Sequence, residues 1–125
     1  MIRNYIIAAA FLLCGSAAAH EMTPALPELN PSYMDGVAYT KLKLWNRRSD
    51  VTYYEITVFD EDWNPIAFAT SGKIIELSYL ETRTFEIYIR DADVANVEYI
   101  CTTSKFLKEE ITTSSITSRI CSRIK

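Results

Sequence analysis

The residues with the most distinctive chemistry in this sequence are few: three cysteines (Cys14, Cys101 and Cys121), a single histidine (His20), and basic residues alternating near the C-terminus at Arg119, Arg123 and Lys125. His20 follows the small-x-small pair Ala17 and Ala19. Cleavage after Ala19 would expose its α-amine beside its ring, a pair of nitrogens able to chelate copper, with Met22 and Met34 offering soft sulfur for Cu(I). Two nitrogens alone make an unselective site, so copper handling at His20 stands as the second reading of this chain. The run Asp60-Glu-Asp-Trp-Asn64 places oxygen ligands at alternate positions, as a calcium loop begins. Such a loop needs glycine sixth and glutamate twelfth, and here Pro65 and Ser71 stand there. An acidic turn is the better reading. With one histidine, no G-x-S-x-G and only three glycines, neither a nucleophilic triad nor a phosphate-cradling loop can be assembled. The sequence reads as non-enzymatic, and nothing in it calls for a cofactor.

Export explains the first nineteen residues. Arg3 is the only charge before Glu21, Tyr5 to Leu13 form an apolar run, and Gly15 and Ser16 break it ahead of Ala17-x-Ala19. That is the pattern of a cleaved signal peptide over 1–19. The run is shorter than the roughly 20 residues a spanning helix requires. Leu13 in front of Cys14 does not suit lipid attachment, where a small residue is needed. Cys14 leaves with the leader, so Cys101 and Cys121 remain. Two cysteines in an oxidising compartment most simply pair, which predicts a disulfide and a periplasmic or secreted location.

Loss of residues 1–19 from 125 leaves 106, and one domain is the expectation at that length. The mature part keeps 12 Lys+Arg (13 less Arg3) against 16 Asp+Glu, a formal charge of -4. An acidic chain without a basic block is a poor partner for nucleic acid. No later segment is apolar and long enough to insert stably in a bilayer.

These residues must be positioned by strands. Residues 20–36 carry Pro24, Pro27 and Pro31, which exclude a helix and a central strand and leave an extended arm or edge segment. From Val37 onward the period is two. Ala38, Thr40, Leu42 and Leu44 share one face; Tyr54, Ile56 and Val58 share another; Phe85, Ile87 and Ile89 a third. Further strands are predicted at Ile66–Ala69, Ile74–Tyr79, Val97–Ser104 and Ser115–Ile124, with a loop or one helical turn over Phe106–Glu110. The sum is an all-β chain of about seven strands at 8–12-residue spacing, which predicts a single immunoglobulin-like antiparallel β-sandwich over 37–125.

In the last strand Ile116, Ile120 and Ile124 point one way and Arg119, Cys121 and Arg123 the other. Consecutive strands pair antiparallel by default. If Ile100 faces the core, Cys101 and Cys121 emerge on one outer face and can meet across the pair. Lys and Arg on such a strand guard an edge against aggregation. The functional reading of Arg119, Arg123 and Lys125 is a basic edge that binds an extended protein partner by strand addition.

Three segments carry a family likeness. Trp45-Asn-Arg-Arg-Ser-Asp-Val-Thr-Tyr53 resembles a strand ending in an Asn-rich turn, Leu77 to Arg90 a leucine, proline-glycine, phenylalanine-arginine-valine segment, and Val97 to Thr102 the strand after it. Together they resemble the N-terminal domain of periplasmic pilus-assembly chaperones. The resemblance implies an immunoglobulin-like fold and chaperone-like binding along a strand edge. Tyr79-Leu80-Glu81 stands where that family has proline-glycine, and the mature length holds one domain where the family has two. The resemblance therefore assigns no individual functional residue.

Overall fold

The computed structural model describes residues 20–106 and 116–124. Within them the chain runs β1 (Glu21–Thr23), β2 (Asn30–Pro31), β3 (Val37–Trp45), β4 (Tyr53–Phe59), β5 (Ile74–Glu76), β6 (Thr82–Arg90), a four-residue helix α1 (Asp91–Val94), β7 (Tyr99–Lys105) and β8 (Arg119–Arg123). All of these strand pairs are antiparallel. One sheet is centred on β3, which pairs with β6 along its whole length and with β1 and β2 along successive stretches of its other side. The second sheet has the order β5-β4-β7-β8.

The two sheets pack through the period-two faces. Leu42, Leu44, Phe85, Ile87 and Ile89 from the first sheet meet Tyr54, Ile56, Val58, Ile75 and Ile100 from the second, with Met22, Val51, Leu77 and Val97 closing the ends. Each such apolar side chain contributes roughly 1.5–3 kcal/mol by leaving water. A one-residue slip of any strand would turn its whole set outward, and that fixes the register. The result is the expected sandwich.

Details of the strand boundaries differ from the sequence reading. The proline-bearing arm holds two short edge strands. Pro31 lies at the end of β2 on the sheet margin, where a missing N–H is tolerated. Ile66–Ala69 is not a strand: it makes isolated bridges at its ends, Phe59 with Pro65 and Ala69 with Tyr88. Pro65 has no N–H to continue a ladder. Ile74–Tyr79 is a strand only to Glu76; one more bond, from the Leu77 N–H to the Thr52 carbonyl, follows its register before the chain leaves β4. The chain then turns through Ser78–Glu81, with Leu80 at φ +65°. The expected loop or helical turn at Phe106–Glu110 lies outside the described residues beyond Phe106, and residues 1–19 with their cleavage site lie outside them too.

One end of the sandwich is closed by a buried amide. Asn46 has no solvent exposure. Its Nδ2 donates to the carbonyls of Val51 (2.8 Å) and Leu77 (2.9 Å), and its Oδ1 accepts from the Arg48 N–H (2.9 Å) and the Tyr54 hydroxyl (2.5 Å). The amide thus has both donors and both lone pairs engaged, and it joins the end of β3 to β4 and to the chain leaving β5.

Cys101 and Cys121 are bonded, and they lie directly opposite one another on β7 and β8 with Cα atoms 4.0 Å apart. The pairs flanking them, Ser118 with Ser104 and Ile124 with Glu98, are joined by backbone hydrogen bonds. By alternation the cysteines occupy a close, non-hydrogen-bonded position. Both lie on the face away from the core, as their phase predicts, although Cys101 is fully covered there.

The bridge and the buried amide each lead to a stability prediction. Closing a loop of sequence separation 20 stabilises by about 3 kcal/mol in the chain-entropy model. Replacing both cysteines with serine should lower Tm by more than about ten degrees, at roughly 4–8 °C per kcal/mol. Addition of reductant should reproduce the shift in the wild type and leave the variant unmoved. Asn46→Ala leaves two carbonyls and a phenol unpaired in the core, at about 1–3 kcal/mol each. Urea titration should show a loss of about 3 kcal/mol or more.

Candidate functional site: an edge strand and the network that seats it

β8 is the last strand of its sheet; among the described residues it forms a ladder with β7 alone, and β1 of the other sheet lies alongside it. Ser118, Ile120, Ser122 and Ile124 turn their backbone groups toward β7. Arg119, Cys121 and Arg123 therefore direct theirs outward. The arm runs beside this edge from His20, next to Ser118, to Ala25, whose carbonyl accepts from the Arg123 N–H at 3.1 Å. Among the described residues, the outward backbone groups of Arg119 and Cys121 have no backbone partner. The edge is hydrogen-bonded to the arm at its C-terminal end and only flanked by it toward its N-terminal end.

Side chains alternate across this strand as expected. Ile120 and Ile124 pack against the core, and Ser122 is buried with its hydroxyl donating to the Pro24 carbonyl at 2.9 Å. Arg119 and Arg123 lie on the outer face. Arg123 Nε donates to Glu98 Oε1 at 2.7 Å. Arg119 Nε donates to Thr103 Oγ1 at 3.3 Å, and its guanidinium lies 5.3 Å from the centre of the Phe59 ring. Phe59 in turn meets Trp63 (5.6 Å between centroids), which stacks on Tyr99 at 4.1 Å and 4°. Trp63 sits at φ +65° in the turn that Asp60 caps by accepting from the N–H groups of Asp62 and Asn64. The acidic run is thus a turn that carries an indole onto the sheet. The outer face beside this edge bears an aromatic platform with a guanidinium on it. Of the three basic residues singled out in the sequence, the structure brings Arg119 and Arg123 together on one strand; Lys125 lies outside the described residues.

The approach to β8 is seated by a buried polar chain. Arg48 grips Asp50 in a two-pronged ion pair (2.9 and 2.5 Å) and donates to the Ile116 carbonyl at 2.6 Å and to Ser118 Oγ at 3.3 Å. Its guanidinium also lies 5.8 Å from the centre of the Phe106 ring. Ser118 Oγ is 3.3 Å from His20 Nδ1, and His20 Nε2 is 3.1 Å from the Thr102 carbonyl. A carbonyl can only accept, which assigns the proton to Nε2. Nδ1 then accepts from the Ser118 hydroxyl, whose oxygen in turn accepts from Arg48. His20 is 1% exposed, and its ring packs on Tyr54 at 4.5 Å.

Burial holds the imidazole below its ordinary pKa of 6.5; the Thr102 bond works against that shift and the Arg48 charge adds to it. Burial likewise pushes the Tyr54 phenol up to about 12, and the Arg48 bond holds Asp50 below its ordinary 3.8. The copper reading needs the His20 ring as a ligand, and both of its nitrogens are engaged within the protein. Met22 is buried and accepts from Thr102 Oγ1 at 3.8 Å, while Met34 lines an open surface hollow with Val37 and Phe68. Among the described residues no group of three or more His, Cys, Asp or Glu is placed to hold a metal ion.

Sequence reasoning missed Asn46, Arg48, Tyr54, Thr102 and Ser118 as one network, and Phe59, Trp63 and Tyr99 as one platform. Their members lie far apart in the chain. Only a buried histidine beside a strand would have hinted at the first group.

No family model matches this sequence, and no curated protein matches it. Solved structures do. The E. coli chaperone DraB aligns with a TM-score of 0.60 at 14% identity, over 86% of this chain and 55% of that one. The periplasmic chaperone SfaE aligns with a TM-score of 0.54 at 12% identity, over 86% of this chain and 56% of that one. The chain shares their immunoglobulin-like fold. It spans about half the length of either chaperone. No helix among the described residues is long and apolar enough to cross a membrane.

His20 supplies a prediction with a definite sign. Its folded pKa lies below 6.5, so the unfolded chain takes up a proton first as pH falls. His20 should cost nothing above about 6.5. Below it, stability should fall by up to about 1.4 kcal/mol per pH unit until the folded pKa is reached. Asp50, whose folded pKa is depressed, contributes stability that is lost only as pH falls below 3.8, a separate window. Denaturation midpoints measured across pH should show the upper decline in the wild type and lack it in His20→Gln.

Proposed function

We propose that this chain is an exported, non-enzymatic β-sandwich module that binds another protein in a chaperone-like manner, by accepting an extended segment of its partner along β8. The observation that carries this reading is the outward edge of β8, held from one side by the β7 ladder and the disulfide, where Arg119 and Cys121 have no backbone partner among the described residues and only the short arm strand β1, which a partner strand would displace, lies alongside. Unpaired strand backbone is a template for a further strand. Two further facts support it: DraB and SfaE are chaperones, and both share this fold. In this reading residues 1–19 are the leader, the mature chain begins at His20, and the protein works in the periplasm or outside the cell, where the disulfide is stable. The arm at 20–36 belongs to the same module, because β1 and β2 pair with β3 and Ala25 caps the far end of the binding edge.

Strand addition is tested by removing one hydrogen atom from the edge. The N–H of Arg119 points away from β7, so Arg119→Pro deletes an outward donor without breaking a bond of the β7–β8 ladder. A photo-crosslinking residue at Thr117 should trap partner protein in periplasm in the parent chain. Arg119→Pro should abolish that product while lowering Tm by no more than a few degrees. A crosslinker at Lys43, on the outer face of the other sheet, should give none. Persistence of the Thr117 product in the proline variant would falsify pairing along this edge.

A further inference from the structure

Away from β8, the outer face of the other sheet carries a second set of side chains with chemistry of their own. Tyr39 and Lys41 of β3 lie directly opposite Tyr88 and Glu86 of β6. The Tyr88 backbone bonds to Ala69 on its far side rather than to β3. Tyr39 and Tyr88 therefore form a close, non-hydrogen-bonded pair, with ring centroids 6.1 Å apart. The Glu86 carboxylate accepts from the Tyr88 hydroxyl and lies 3.7 Å from Lys41 Nζ, in an ion pair exposed to solvent. Tyr33 is 88% exposed, on a turn that the Ser32 hydroxyl closes by donating to the Val37 carbonyl at 2.6 Å. Pro31, Tyr33, Tyr39, Glu86 and Tyr88 line a hollow of about 280 Å³. Past Glu86 and Tyr88 it meets a second hollow of about 570 Å³, which reaches Lys41, Ser71 and Thr84. Tyr39 is paired to β2 and β6, and Tyr88 to β3 and Ala69, so this cleft offers side chains rather than strand backbone.

We infer that the cleft binds a neutral oligosaccharide, its pyranose rings lying against Tyr33, Tyr39 and Tyr88 and its hydroxyls bonding to the Lys41–Glu86 pair. A pyranose has apolar C–H faces and a rim of hydroxyls. Tyrosine has the same division, an apolar ring with a polar tip. Among the described residues the hydroxyls of Tyr33 and Tyr39 have no hydrogen-bond partner. Each sugar hydroxyl both donates and accepts. The Glu86 carboxylate only accepts and the Lys41 ammonium only donates, so together they suit adjacent hydroxyls. Their opposite charges leave no net charge between them to draw an ionic ligand. Ser71 and Thr84 add hydroxyls that do either.

Other occupants fit less well. A polyproline segment also docks on tyrosines, but its backbone offers carbonyls and few N–H groups. It would cover the Glu86 carboxylate without giving it a donor. A phosphate-bearing chain would meet that carboxylate as a like charge, and a lipid surface would have to strip water from both members of the ion pair.

The test titrates isotope-labelled mature protein with cellohexaose, maltohexaose and chitohexaose at millimolar concentration, and with decaproline as the rival, following backbone amides by NMR. At least one hexasaccharide should shift the amides of Tyr39, Lys41, Glu86 and Tyr88 and leave those of β8 in place. Calorimetry with that sugar should show an affinity insensitive to salt. Loss of a stacked ring, in Tyr33→Ala or Tyr88→Ala, should weaken binding about tenfold, and Glu86→Gln should weaken it several-fold. Tyr33 is so exposed that its truncation spares the fold, and an unchanged affinity in Tyr33→Ala would overturn the inference. Absence of shifts in this cleft with all three sugars would overturn it as well. Shifts with decaproline alone would assign the cleft to a proline-rich peptide instead.

Discussion

A strand with one ladder partner makes only half of its backbone hydrogen bonds, and β8 is such a strand. Its five residues cannot be held by the β7 ladder alone with much to spare, because each bond exchanged for one with water nets about 1 kcal/mol. Everything else around it compensates. Ile120 and Ile124 anchor it to the core, Ser122 ties it to Pro24, Ala25 caps Arg123, and the Cys101–Cys121 bridge fixes its register. The bridge acts at a non-hydrogen-bonded pair on the outer face, so it occupies neither the ladder nor the outward edge. That placement fixes the strand without using any of its backbone groups. A disulfide between the two sheets would hold the sandwich but leave β8 to fray.

The buried polar chain does for the strand's approach what the bridge does for its middle. Arg48 takes the carbonyl of Ile116 and the hydroxyl of Ser118, and through Ser118 it reaches His20, just ahead of β1. His20 and the start of the last strand are thereby fixed to the same group. Asn46 then joins Arg48 to Tyr54, on which His20 packs. Burial and the Arg48 charge favour a neutral His20, which donates from Nε2 to Thr102 and accepts at Nδ1 from Ser118. The cost of burying these polar groups is kept low because each finds partners.

Much of this was legible in the sequence because it rests on period-two patterning. The faces Leu42–Leu44, Tyr54–Val58 and Phe85–Ile89 became the core, and the opposed phases of Ile120 and Cys121 put the cysteines on an outer face where they meet. The strand likeness to periplasmic chaperone domains is present in the fold. Short elements were harder. Ile66–Ala69 has strand-like residues, yet Pro65 and the demands of bridging to Tyr88 leave it as isolated contacts. The sequence presents His20 as a terminal residue with little constraint, whereas it is among the most buried side chains. Its partners, Thr102 and Ser118, are ordinary strand residues whose nearness depends on tertiary pairing. The same holds for Trp63, whose turn was visible but whose stacking on Tyr99 was not.

The arginines of β8 stand where an edge strand is commonly guarded, since Lys and Arg on such a strand deter pairing with another chain. Glu98 pairs with Arg123 where the Ala25 carbonyl takes its N–H, and Arg119 lies on Phe59 and Thr103. β1 runs alongside the same strand. The arm therefore flanks the backbone edge of β8 while the arginines cover its outer face, so the proline-bearing segment ahead of β3 and the basic residues of the last strand act on one margin of the sandwich.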